Sequence, residues 1–276
     1  LNEAKFFDQI RATLFAGKLS QDQVAGIKGL LTAFDLVGDR DQDTLAYGLA
    51  TAYHETGRRM IPVREGFAKS DAGARKAVAK LALKRGPQSA VAKYSQAAGP
   101  YGHVYYGRGH PQLTWLDNYR TASADAGVDL VKDPDAMLDP VISARVLFRG
   151  IMDGRWNGRG KGIAFYEGDD DFLDDTEAAE ARRTVNVKDK ALLIAGYHRK
   201  FYDALDLAGW SPVAPRAPAV PAAPAAPTPP AARDERPPAP PAPAPELVAG
   251  SGRKSTFAAI LAALVRWLAS LKGNRQ

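Results

Sequence analysis

The chain has 276 residues with a 45% apolar fraction, enough for one sizeable domain, and its formal charge of +6 is uneven. Residues 1–210 hold 29 Lys and Arg against 28 Asp and Glu, and the remaining residues hold 8 against 3. A nearly neutral body argues against nucleic-acid binding driven by phosphate contacts, and the absence of cysteine excludes disulfides, thiolate metal sites and thiol nucleophiles.

The amino terminus, Leu1–Phe7, lacks a basic region followed by an apolar run, so no secretory signal is read there. Phe6, Phe7, Ile10 and Leu14 fall on one helical stripe over residues 3–15, with Asn2 as its cap. Ser20-Gln21-Asp22-Gln23 is a capping-box pattern that opens a second helix carrying Val24, Ile27, Leu30, Leu31 and Phe34, which Gly38 ends. A third helix begins between Asp41 and Thr44 and ends near Glu55-Thr56, where Gly57 can adopt the left-handed conformation that closes a helix. Glu55 is thereby placed at the rigid end of a helix. A basic, alanine-rich helix spans about residues 71–85 and reads as a solvated face, since no aromatic residues interleave for base stacking.

Short strands are expected around Val104–Tyr106 and Gln112–Thr114, followed by a helix over residues 115–126 and another opened by Asp139-Pro140. Residues 154–171 read as a Gly-rich loop ending in Asp169-Asp170-Asp171, an acidic run without the ligand spacing of a calcium loop. The last helix of the body runs over about residues 188–207 and closes at Gly209. The expected fold is mainly α.

Composition then changes. Residues 211–245 contain 14 of the 20 prolines in an Ala-Pro background, a polyproline-type spacer. At roughly 3.1 Å per residue it reaches on the order of 100 Å. Beyond it, Phe257, Ile260, Leu261, Leu264, Val265, Leu268 and Leu271 share one helical face flanked by Arg253, Lys254, Lys272 and Arg275. Such a helix is about 24 Å long against a hydrocarbon core of about 30 Å, so an interfacial helix or short anchor fits residues 256–271 better than a full span. The organisation read from the sequence is a body (1–210), a linker (211–250) and a basic-flanked helix (251–276) that meets a membrane surface.

Chemistry narrows by elimination. His54, His103, His110 and His198 make no His-Glu-x-x-His zinc pattern, and no Gly-x-Ser-x-Gly elbow is present. Paired carboxylates remain, and glycosidic cleavage needs one acid to protonate the leaving oxygen and a second carboxylate on the other face. Glu55 and Glu65 are candidates, although spacing alone does not separate them from two solvated glutamates.

His54-Glu55-Thr56-Gly57, followed by Tyr105-Tyr106-Gly107-Arg108-Gly109-x-x-Gln112-Leu113-Thr114-Trp115-x-x-Asn118-Tyr119, resembles the family 19 glycoside hydrolases. This is the chitinase and phage endolysin group, and the order and spacing match its compact bacterial and phage branch over most of residues 40–205. The resemblance implies a lysozyme-like helical fold and an inverting attack on a β-1,4-linked N-acetylhexosamine polymer, with no cofactor or metal. By position Glu55 is the general acid and Glu65 the general base. Thr114 helps hold the attacking water, and Gln112, Asn118, Tyr106, Arg108 and Asn186 position substrate or water. Two features depart from the pattern: Gly66-Phe67-Ala68-Lys69-Ser70 follows Glu65, and Val187 follows Asn186. The residues themselves leave two alternatives open: Tyr105, Tyr106 and Trp115 as core aromatics or sugar platforms, and Arg108 as a buried ion-pair partner or a substrate contact.

The spacer and basic helix favour peptidoglycan over chitin and place the expected monomer at a bacterial cell envelope, whether host- or phage-encoded. A catalytically silent glycan-binding tether is the rival from another class. Residues 246–276 fused to a reporter are expected to carry it to anionic vesicles in a flotation assay, and a reporter left in solution would count against the anchor.

Overall fold

The computed structural model describes residues 1–157, 159–168, 172–186 and 189–212. The linker, the terminal helix and the Asp169–Asp171 run expected from sequence lie outside the described residues, apart from residues 211–212. The described part is mainly helical, as expected, with four two-residue strands.

Helix α1 (Glu3–Thr13) starts at Asn2, whose side chain accepts from the Lys5 amide, and buries Phe6, Phe7 and Ile10. Helix α2 (Gln21–Val37) begins with the reciprocal capping box of Ser20 and Gln23. Helix α3 (Gln42–Glu55) is capped by Asp41 and is buried continuously from Asp43 to Tyr53. It forms the axis of the main core, where α2, α7 (Pro140–Asp153) and α9 (Ala191–Leu207) pack against it. The small residues Ala46, Gly48, Ala50 and Ala52 fit this buried environment, because their modest size allows neighbouring helices to approach from every side.

Helix α3 ends in a reciprocal carbonyl cap: the Arg58 amide reaches the Tyr53 carbonyl at 2.7 Å and the Gly57 amide reaches that of His54 at 3.1 Å. Gly57 has φ of +57°, the left-handed conformation expected of it. Strand β1 (Val63–Arg64) follows, then α4 (Asp71–Arg85) and α5 (Ala90–Tyr94). Strands β2 (Ala97–Ala98) and β3 (His103–Val104) pair antiparallel, and β4 (Arg108–Gly109) returns to pair with β1, matching Val63 to Gly109 and Arg64 to Arg108. The strands are shorter than the sequence suggests, and Leu113 meets Arg108 only as an isolated bridge. Helix α6 (Leu116–Ala126) lies against α7, and Asp139 caps α7 with Pro140 in its first turn.

Among the described residues between 154 and the last helix lie three further elements, the first of them inside the segment 154–171 read as loop. A 3₁₀ turn spans Ile163–Phe165, and α8 (Asp175–Glu180) opens with a capping box of Asp174 and Glu177 before a second 3₁₀ turn over Ala181–Thr184. This last turn delivers Arg182 to the end of α3. No helix among the described residues is long and apolar enough to cross a membrane.

Candidate active site

A cleft of about 460 Å³ opens where the end of α3 meets α5, the start of α6 and the segment after Arg182. Glu55, Gln112, Thr114, Asn118 and Asn186 line it, all of them candidates from the sequence. Tyr94, Trp115, Asn157 and Asp189 line it as well. The structure thus brings together residues separated by more than a hundred positions along the chain.

Glu55 is the last residue of α3, and its side chain is 17% exposed. Arg182, with only 1% of its side chain exposed, donates from Nη2 to Glu55 Oε1 at 2.5 Å. Its Nε donates to the Asp189 carbonyl at 3.2 Å, which fixes the guanidinium from a second side. Removing one partner from such an ion pair strands a poorly solvated charge, at a cost of about 3–5 kcal/mol when burial is complete. Deeper in the core, Asp43, Tyr47 and Thr51 precede Glu55 at four-residue steps and so share its face of α3. Burial pushes the Tyr47 phenol up, opposed by the nearby Arg182 charge and reinforced by Tyr166 and Glu55. Tyr47 therefore stays a neutral hydroxyl beneath the ion pair.

Glu65 is half-buried and does not itself line the cleft. Its carboxylate is held against the cleft wall: the Tyr94 hydroxyl donates to Oε1 at 2.7 Å, and the Gly107 amide donates to Oε2 at 2.8 Å. Each oxygen retains a lone pair for a further donor. Burial, followed by the Glu65 charge, raises the Tyr94 pKa, so this phenol remains a donor. A Cβ at position 107 would stand 2.8 Å from Gln112 Oε1 and 3.3 Å from Glu65 Oε2, so a side chain there would push the Gln112 amide out of place. Gln112 donates to the Val63 and Gly109 carbonyls at 2.9 and 3.0 Å, tying the β1–β4 pair together beside the cleft.

Two sequence assignments need correction. Tyr106 and Arg108, expected to position substrate or water, are buried away from the cleft. The Arg108 guanidinium lies 3.6 Å above the Tyr106 ring and reaches Asp135 at 2.7 Å and Asp71 at 3.3 Å, while the Tyr106 hydroxyl donates to Asp71 at 2.9 Å. A buried guanidinium requires these carboxylates and a flat aromatic face, so the pair serves the scaffold under the hairpin. Tyr105 is also core, bonded to the Val131 carbonyl. Trp115 differs: at 38% exposure it stands at the cleft with its ring edge-on to Tyr94. It is the aromatic suited to sugar stacking.

Sequence reasoning did not find the roles of Arg182, Tyr94, Asn157 and Asp189. Two signals pointed to the neighbourhood of Arg182: Asp174-x-x-Glu177, a capping box that announces the element leading to it, and the resemblance of Arg182-Arg183-Thr184-Val185-Asn186 to the family segment that supplies a cleft asparagine. Among the described residues, no group of His, Asp and Glu is arranged to hold a metal ion.

A partly buried carboxylate beside a guanidinium, a second oriented carboxylate, and amides and an aromatic around one groove form the equipment of a glycosidase. The chitinase class I family model matches residues 24–156, and over this region the chain belongs to that family, the family 19 glycoside hydrolases. It is a glycoside hydrolase, and a chitin-like polysaccharide is its class of substrate. Solved structures similar to it include the following three. A mutant of chitinase C is 19% identical, with a TM-score of 0.44 and coverage of 77% of this chain and 94% of that one. Chitinase C from Streptomyces griseus HUT6037 is 20% identical, with a TM-score of 0.41 and coverage of 76% and 77%. A bacterial family 19 chitinase is 21% identical, with a TM-score of 0.44 and coverage of 77% and 97%. No curated protein matches the chain.

His110, within the motif, supplies a pH test of the scaffold. It is fully buried between Ser143 and the Met60 carbonyl, and burial pushes its imidazole from 6.5 down to about 4. Between those values the unfolded chain binds a proton that the folded chain refuses. The stability owed to neutral His110 is therefore present above pH 6.5 and lost as pH falls towards 4. Urea unfolding should lose about 1.4 kcal/mol per pH unit from this group, and a His110→Gln chain should show a correspondingly shallower slope. Equal slopes would contradict the assignment.

Proposed function

We propose that the chain is an inverting, cell-wall-active glycoside hydrolase that cuts β-1,4 linkages of peptidoglycan, with Glu55 as general acid and Glu65 as general base. The carrying observation is the placement of Glu55 in the cleft, fixed by Arg182, with Tyr94 holding Glu65 at the same cleft's wall. The family resemblance further suggests a lysozyme-like helical arrangement around such a groove.

In this mechanism Glu55 gives its proton to the glycosidic oxygen as the bond to the anomeric carbon breaks. Arg182 stabilises the carboxylate that remains. A water enters from the opposite face, Glu65 takes its proton, and the Thr114 hydroxyl helps to hold it. Asn118 and Asn186 bind sugar hydroxyls or acetamido groups, while Trp115 stacks against a pyranose face. An inverting site keeps its carboxyls about 6.5–9.5 Å apart to admit the water. The Pro-rich spacer and basic terminal segment, both beyond the described residues, favour the envelope polymer through composition alone. Chitin is the second reading, favoured by the family match.

Purified protein incubated with peptidoglycan and with chitin should release new reducing ends, with peptidoglycan the better substrate. A Glu55→Gln chain that still folds, with its melting temperature lowered by loss of the Arg182 ion pair, should lose about 10²–10⁴-fold of this activity, the range that general acid catalysis supplies. Release from neither polymer would sink the hydrolase reading, and an unimpaired Glu55→Gln chain would remove Glu55 as the acid.

A further inference from the structure

A second cavity, about 590 Å³, adjoins the cleft. Asn157 lines both spaces, and its Nδ2 donates to the Arg183 carbonyl at 3.3 Å, so the two share a wall. Among the described residues, three cations, Arg159, Lys161 and Arg183, line this cavity together with one carboxylate, Glu180. Phe165 and Tyr166 supply its apolar surface. Arg183 donates to Glu180 at 2.7 Å, and the Lys161 ammonium sits 4.0 Å over the Phe165 ring. Neither Arg159 nor Lys161 has a carboxylate partner among the described residues.

The concentration of charge is local. Residues 1–210 are almost balanced, with 29 basic and 28 acidic side chains, so overall basicity does not explain three cations at the end of a sugar-binding groove. A polymer of N-acetylglucosamine is neutral and has no group to pair with them. A muramyl strand has such a group on every second sugar: the free lactyl carboxylate or, where a stem peptide is joined to it by an amide, the carboxylates of that peptide. Guanidinium and ammonium groups recognise carboxylates through charge-assisted hydrogen bonds, and aromatic walls suit the adjoining sugar or peptide surface.

We propose that this cavity is a carboxylate-binding subsite continuing the catalytic cleft, in which Arg159 and Lys161, with Arg183 beside them, select the acidic substituent of a muramyl strand over neutral chitin. The proposal rests on the wall-hydrolase reading, and it names the residues that would set that preference.

The test is a comparison of binding by calorimetry, using the Glu55→Gln chain so that ligands survive the titration. Chitotetraose is the neutral probe. The N-acetylglucosamine–N-acetylmuramic acid tetrasaccharide is used with and without stem peptides, which separates lactyl from peptide carboxylates. The muramyl ligands should bind about ten-fold tighter than chitotetraose, a ratio that Arg159→Gln with Lys161→Gln should bring close to one. Should that double variant fail to fold, raising salt from about 0.02 to about 0.5 M on the parent chain must shrink the ratio in the same way. No preference in the parent chain, or a preference that survives both the double variant and salt, would overturn the subsite. Reducing-end release from peptidoglycan by the unmutated chain is scored separately, so failure of the wall reading is distinguished from failure of the subsite.

Discussion

The Glu55–Arg182 ion pair is the interaction on which the cleft depends. It joins the end of the buried central helix to a turn 127 residues later in the chain. The α3 helix is enclosed by α2, α7 and α9, so its last residue cannot drift, and the guanidinium is enclosed in turn. A carboxylate held this way has a fixed orientation without being sealed from solvent. That combination suits proton donation to a bound polymer, because the acid must face the groove while its supporting charge stays out of substrate's reach.

The opposite side of the site is organised by a different constraint. The β1–β4 pairing sets Glu65 next to Gly107, and the absent side chain at 107 lets the Glu65 carboxylate and the Gln112 amide converge on one backbone segment. Beneath this, Arg108 joins Asp71 and Asp135 through a stack on Tyr106. Breaking that buried network would disturb the hairpin before it touched substrate. The Tyr-Tyr-Gly-Arg-Gly-x-x-Gln motif is thus largely a device for shaping the wall, while Thr114, Trp115 and Asn118 just after it face the groove.

Local chemistry made much of the fold readable in advance. Asn2, Ser20 and Asp139 cap the helices they were expected to open, because a capping side chain bonds an amide within its own first turn. The placement of Glu55 at a helix end followed from the same rule applied to Gly57. Facing was harder to read. In a segment as short as residues 104–109, alternation does not distinguish a side chain turned into the cleft from one turned into the core, and Tyr106 and Arg108 turn inward. Arg182 was out of reach for another reason: its partner is far away in sequence, and only packing of α8 and α9 brings it to Glu55. The basic cavity is similarly non-local, since Arg159 and Lys161 meet Arg183 only in the folded chain.

The account turns on a water attacking from the face opposite Glu55, activated by Glu65. Proton NMR of the first sugar released from a β-linked oligomer, recorded before mutarotation, reads that geometry directly. The account predicts the α-anomer as the initial product; a β-anomer would mean retention, and would contradict the assignment of Glu65 as a base acting through water.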